Sequence, residues 1–135
     1  MSLLTWSHAC TVGVKAMDDQ HGILMDTINE LRLALVRGSD HQKIAAELEH
    51  LIEFTHKHFQ SEELLLEQQG YPYLAAHRAA HEKLLREIRE TVVTAENSEA
   101  FDFQLLLGFL RTWYLEHIEQ FDRQYGPWLN ARGVF

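Results

Sequence analysis

The sequence predicts an all-α fold, an antiparallel up-down-up-down four-helix bundle with an N-terminal arm. Three observations predict it. Apolar residues recur at helical spacing along the whole chain. Only two prolines and seven glycines interrupt 135 residues, which leaves segments long enough for full helices. The breaks between those segments are short, and short connections make successive helices antiparallel neighbours. A chain of this length forms one domain around one core, here residues 1–135.

Each element follows from local signals. Residues 1–17 form the arm. Asp18 or Asp19 can cap a first helix running to about Arg37. Gly38-Ser39-Asp40 breaks the chain, and Ser39 or Asp40 caps a second helix over about 41–69. Gly70 ends it as a C′ residue. Pro72 fits the first turn of a third helix over about 72–95, where its missing N–H does no harm. That helix fades at Ala95-Glu96-Asn97-Ser98. A fourth begins near Glu99 and ends around Gly126-Pro127, about 99–126, before a short aromatic tail.

Composition excludes several classes of function. A net charge of −8, with twelve Lys and Arg scattered among twenty acids, argues against a nucleic-acid partner. The longest apolar runs, such as LLLGFL at 105–110, are far too short to span a bilayer. The opening MSLLTWSHAC lacks the basic start and long apolar stretch of a signal peptide. A single cysteine, Cys10, allows neither an internal disulfide framework nor a Cys-based metal cage. These features favour the cytoplasm.

Histidine is the unusual entry in the composition, nine in 135 residues. Stepping about 100° per residue shows where each one points. On the second helix Ile44, Leu51, Phe54, Glu62 and Leu65 fall within about 40° of His58, so His58 and Glu62 lie inside the apolar stripe. His50, Glu53 and His56 fall on the far side. His77 and His81 share a face with Leu74, Leu84 and Ile88. His117 lies between Leu110, Trp113 and Phe121, and His21 at the edge of a stripe of Leu24, Ile28 and Leu35. Five histidines and one glutamate therefore face the core from all four helices. His8, His41, His50 and His56 read as surface residues. Glu63 points away from Glu62 and reads as solvated.

A buried carboxylate without a partner costs several kcal/mol or becomes neutral, and no Lys or Arg in the core-facing set pairs with Glu62. A metal ion satisfies the acid and the imidazoles together. Neutral imidazole and carboxylate suit iron, zinc, manganese and copper. Five histidines and a glutamate are six donors, more than a four-coordinate ion takes and enough to fill an octahedral one. Asp122 follows His117 by five residues, about 140° off its face on an ideal helix. Only a local widening of the helix turns it inward.

In order along the chain stand WSHACTVGV, DDQH at 18–21, HFQSEE at 58–63, HRAAH at 77–81 and WYLEHIEQFD at 113–122. With these motifs the sequence resembles the hemerythrin family, and within it the single-domain bacteriohemerythrins, over nearly its whole length. The resemblance implies a non-haem di-iron centre. His77, His81 and His117 would hold one iron, and His21 and His58 the other. Glu62 and Asp122 would bridge the two, with a solvent-derived oxo or hydroxo as third bridge. The second iron then has one position vacant, where dioxygen would bind reversibly for storage, delivery or scavenging. Phe59, Trp113 and Ile118 correspond to apolar pocket positions of the family.

Two positions depart from the family pattern. Cys10 stands where an aromatic residue is common in the arm, and Gly22 replaces a longer polar residue after His21. The departures bear on autoxidation and stability rather than on the ligands. The resemblance makes the chain a binder of dioxygen and not an enzyme, a monomer or weak oligomer. Its alternatives are a di-iron redox or oxygen sensor read by an unidentified protein acceptor, or a di-iron peroxidase, ferroxidase or nitric-oxide-consuming enzyme. Ferritin-like oxidases take Glu-x-x-His pairs from two helices. The pairs here, Glu47-His50 and Glu53-His56, both lie on the second helix with His50, Glu53 and His56 outward.

Overall fold

The chain, seen in a computed structural model that describes residues 3–96 and 103–135, is helical wherever it is regular. After a short 3-10 turn at His8–Cys10 come α1 (Lys15–Val36), α2 (His41–Gln69), α3 (Leu74–Glu96) and α4 (Phe103–His117). A π-helical segment, Ile118–Asp122, joins α4 to α5 (Arg123–Asn130) without a break. The helices pack in a ring, α1 on α2, α2 on α3, α3 on α4 and α4 on α1. This is a four-helix bundle. Its axis is filled by Ile28, Leu31, Leu51, Leu66, Ile88, Leu110 and Leu129, all without solvent exposure. None of the described helices is long and apolar enough to cross a membrane.

Helix ends follow local chemistry in the middle of the chain. Asp40 caps α2, its Oδ1 accepting the Lys43 N–H at 2.8 Å. Gly70 closes that helix in the left-handed region, at φ 73°, a conformation that costs glycine little. The start of α1 differs from expectation. The helix begins at Lys15, with Val14 at the N-cap and no side-chain cap. Asp18 holds the arm instead: it accepts the Thr11 hydroxyl at 2.7 Å and the Val12 N–H at 2.8 Å. Asp19 pairs with Lys15 on the surface. Arm donors thus take up the carboxylate that would cap an isolated helix. Farther out, Asn29 exchanges two hydrogen bonds with the Leu4 backbone, each 2.9 Å. Cys10 is buried in this docked arm.

Two prolines also sit otherwise than expected. Pro72 belongs to the turn before α3, which starts at Leu74. Pro127 lies inside α5, and the helix runs on to Asn130 rather than stopping at Gly126. Packing overrides the proline there: Tyr125 and Leu129 are fully buried, and the Asn130 amide donates to the carbonyls of Gly13 (3.0 Å) and Val134 (2.8 Å). The expected start near Glu99 lies outside the described residues. Phe121, expected in the apolar stripe, is more than a third exposed, because the π turn rotates it outward.

Gly126 is where the arm and α5 touch. A β-carbon there would be driven into the Val12 carbonyl. Gly126→Ala is therefore expected to destabilise the protein by about 1–3 kcal/mol or more through overpacking against backbone. Urea unfolding should show a lower midpoint at unchanged slope. Gly22→Ala, with open space around its added methyl, should instead be neutral or stabilising by up to about 1 kcal/mol.

Candidate metal centre

Seven side chains meet inside the bundle: His21 from α1, His58 and Glu62 from α2, His77 and His81 from α3, His117 from α4 and Asp122 from the π segment. All are buried, none more than 6% exposed. The four-residue spacing of each α2 and α3 pair aims both members inward. Asp122 needs more. Its five-residue spacing fits the wider turn of the π segment, which brings it to the His117 face.

The two carboxylates divide their oxygens between two groups of histidines. Glu62 Oε1 lies 2.5 Å from His77 Nε2 and 3.1 Å from His81 Nε2. Asp122 Oδ1 lies 3.2 Å from His77 Nε2 and 3.1 Å from His117 Nε2. The other oxygens face the remaining pair. Glu62 Oε2 is 3.6 Å from His21 Nε2 and 3.5 Å from His58 Nε2, and Asp122 Oδ2 is 3.1 Å from His21 Nε2. Two donor sets result, each with its ligand atoms within 4.8 Å of one another. One is Glu62, His77, His81, His117 and Asp122. The other is His21, His58, Glu62 and Asp122.

Charge is concentrated here with little water to screen it. Burial opposes protonation of His21, but its contacts with Asp122 and Glu62 outweigh burial and raise its pKa to about 10. The same competition raises His77 to about 9. Burial dominates at His58 and lowers it to about 4. Burial would neutralise Glu62 and Asp122, yet the surrounding imidazoles hold both below the ordinary carboxylate range.

The arrangement fits bound metal better than a hydrogen-bonded network. Both Asp122 oxygens and both ring nitrogens of His21 are buried with no hydrogen-bond partner among the described residues. Buried polar atoms are rarely left so. His81 Nε2 and His117 Nε2 lie only 3.2 Å apart. Imidazole nitrogens and carboxylate oxygens that converge this closely are what a metal cation suited to both ligand types satisfies.

Four further residues position this cluster, and reasoning from the sequence did not single them out. Gln20 Oε1 lies 2.6 Å from His58 Nδ1. Glu63, expected to be solvated, is mostly buried and reaches His81 Nδ1 at 2.9 Å. The Tyr125 hydroxyl donates to Glu62 Oε2 at 2.8 Å, and that of Tyr114 to the His21 carbonyl at 2.8 Å. Each sits within three residues of a cluster member in sequence, which is the available signal. Which partner each meets depends on how neighbouring helices dock. The expected pocket residues do come together: Phe59, Trp113 and Ile118, with Leu24 and Tyr114, line a small cavity against His21, His58, His117 and Asp122. His8, His50 and His56 are exposed, away from the cluster.

Comparison with known proteins points to a cation-binding family. The family model of the hemerythrin HHE cation binding domain matches residues 12–129. The bacteriohemerythrin of Methylococcus capsulatus is 35% identical over 132 residues, covering 97% of this chain and all of that protein. The bacteriohemerythrin of Pseudomonas aeruginosa is 34% identical over 93% of this chain and 80% of its own length. Among solved structures, wild-type hemerythrin superposes with a TM-score of 0.81 at 33% identity, covering 93% of this chain and 97% of that one. From the cation-binding family model, the relatives and the shared fold, it follows that this chain belongs to the hemerythrin family.

Proposed function

We propose that this protein holds two iron ions inside the bundle and binds dioxygen reversibly at the pair, as a carrier, store or scavenger rather than an enzyme. One observation carries this reading: Glu62 turns one oxygen to His77 and His81 and the other to His21 and His58, while Asp122 turns one to His77 and His117 and the other to His21. In it, His77, His81 and His117 would hold one ion and His21 and His58 the other, with Glu62 and Asp122 offering oxygens to both. Iron supplies the electrons that reversible dioxygen binding requires.

The rest falls to the chain's own residues. Both members of the set with fewer histidines, His21 and His58, border the small cavity, against His117 alone of the other set, which suits a small ligand entering on that side. Leu24, Phe59, Trp113 and Ile118, all at most 5% exposed, wall that cavity and exclude water from it. Tyr114, which also lines it, has its hydroxyl proton engaged by the His21 carbonyl. Tyr125 donates to Glu62 and fixes the carboxylate between the two sets.

An optical titration tests the function. The iron-loaded, reduced protein is recorded without air, after air and after degassing. A visible band that appears and disappears over several cycles is expected. A single irreversible change to a ferric spectrum would move the role to redox sensing or oxidase chemistry, and no iron-dependent spectrum at all would end the reading.

Metal uptake should also depend on pH. His21 and His77 carry their protons at neutral pH in the metal-free chain, since their pKa values stand at about 10 and 9. Each must lose that proton to offer Nε2 to an ion. Zinc uptake at pH 7 is thus expected to release about two protons, seen as a dependence of calorimetric heat on buffer ionisation enthalpy. Apparent affinity should rise with pH and level off above about pH 10.

A further inference from the structure

The histidines of the two sets are not backed alike. On the three-histidine side, His81 Nδ1 meets a carboxylate, Glu63 Oε2, at 2.9 Å. Arg78 holds that carboxylate from behind through Nε at 3.2 Å, and its other end reaches Glu67 at 3.1 Å. On the two-histidine side, His58 Nδ1 meets a neutral carboxamide, Gln20 Oε1, at 2.6 Å. The Gln20 amide nitrogen donates in turn to Ser61 Oγ at 3.1 Å. Geometrically the two acceptors do the same work. Each fixes the tautomer with the proton on Nδ1 and turns the Nε2 lone pair inward. They differ in charge. A carboxylate draws the Nδ1 proton towards itself and raises the basicity of the ring; an amide oxygen does so much less. A more basic ring stabilises the more highly charged state of a bound ion.

We propose that Glu63 and Gln20 make the two iron positions electronically unequal. Glu63, acting through His81, lowers the reduction potential of the three-histidine position. Gln20 leaves the two-histidine position, which borders the cavity, at the higher potential. In a half-oxidised protein the ferric ion then sits with His77, His81 and His117. Both residues act as positioning residues. The inference rests on the di-iron reading above and adds to it an assigned direction of asymmetry.

Spectroelectrochemical titration of the iron-loaded protein, after an iron count on each sample, tests this. Glu63→Gln keeps an acceptor for His81 Nδ1–H and removes only the charge. It is expected to raise the lower of two one-electron steps by about 59 mV, a tenfold change in ferric over ferrous preference, and to leave the upper step in place. Gln20→Glu should lower the upper step and narrow the gap. Glu67→Gln, which removes the same charge one residue farther along the Arg78 relay, should move neither. Glu63→Ala, which also loses the hydrogen bond, should in addition weaken metal affinity about 10–100-fold.

Equal movement of both steps in Glu63→Gln, or of neither, overturns the proposal while leaving the di-iron reading intact. Should that variant fail to fold, an unmoved upper step in Gln20→Glu overturns it independently. A wild-type chain that takes up fewer than two irons overturns both, and the iron count separates the two failures.

Discussion

On the proposed di-iron reading, Glu62→Ala should reduce the iron content from two ions per chain to one or none, and abolish any dioxygen-dependent band. Glu62 has no solvent exposure. Its Oε1 serves His77 and His81, and its Oε2 faces His21 and His58 and accepts the Tyr125 hydroxyl. Alanine removes all of these at once. In the metal-free chain it also leaves His21 and His77 without a charge that keeps them protonated. Breaking a buried charge pair by removing one partner costs about 3–5 kcal/mol, so a lower melting temperature should accompany the loss of metal. Glu62→Gln separates the two effects. It keeps the shape and an acceptor for Tyr125 but not the second anionic oxygen, so it should fold closer to wild type and still lose the pair. Iron by elemental analysis, with thermal unfolding of the same samples, reads both. A Glu62→Ala protein that retains two irons and oxygenates normally would defeat the ligand assignment.

Phe59→Ala should be strongly damaging although the residue offers no ligand atom. Phe59 is 2% exposed, and its ring stacks on His81 at 3.7 Å and 4° between planes. It also borders His58 at 5.8 Å, His117 at 5.6 Å and Trp113 at 6.3 Å. Truncating a buried Phe costs about 3–5 kcal/mol, on the order of 10 °C or more in melting temperature for a domain of this size. The consequence for function follows from place. The space vacated opens onto the small cavity beside His21 and His58, so water gains access to a region that is otherwise apolar-walled. Faster conversion to the ferric state in air is expected alongside the lost stability. Phe59→Leu, which refills most of the volume, should lie between alanine and wild type in both measurements. Tyr73→Ala, at a ring two-thirds exposed, should change neither and serves as the control.

The bundle itself was legible in the sequence because the helical repeat is a local property. A histidine and a glutamate four residues apart inside an apolar stripe can only face the core, and His58 and Glu62 do so whatever the neighbouring helices do. The same holds for His77 and His81. Caps that depend on one or two residues, such as Asp40 and Gly70, were equally readable. Signals that two distant segments compete for were not. Asp18 has the composition of a helix cap, yet Thr11 and Val12 claim it. Pro127 has the composition of a helix stop, yet the burial of Tyr125 and Leu129 carries the helix past it.

Near the cluster the division is sharpest. The helices, their inward faces and the five histidines with one glutamate upon them were readable from the residues alone, since periodicity along one chain specifies direction about one axis. The meeting of these faces at one place, and the turning of each carboxylate's two oxygens to different histidines, came from the docking of the helices. The folded structure alone turned Asp122 inward, by a π turn that no residue type in IEQFD announces. It alone put a carboxylate behind His81 and an amide behind His58. The physical reason is common to all of these. They depend on the rotation and rise of one helix against the next, and that register is set by packing summed over the whole core rather than by the residues that use it.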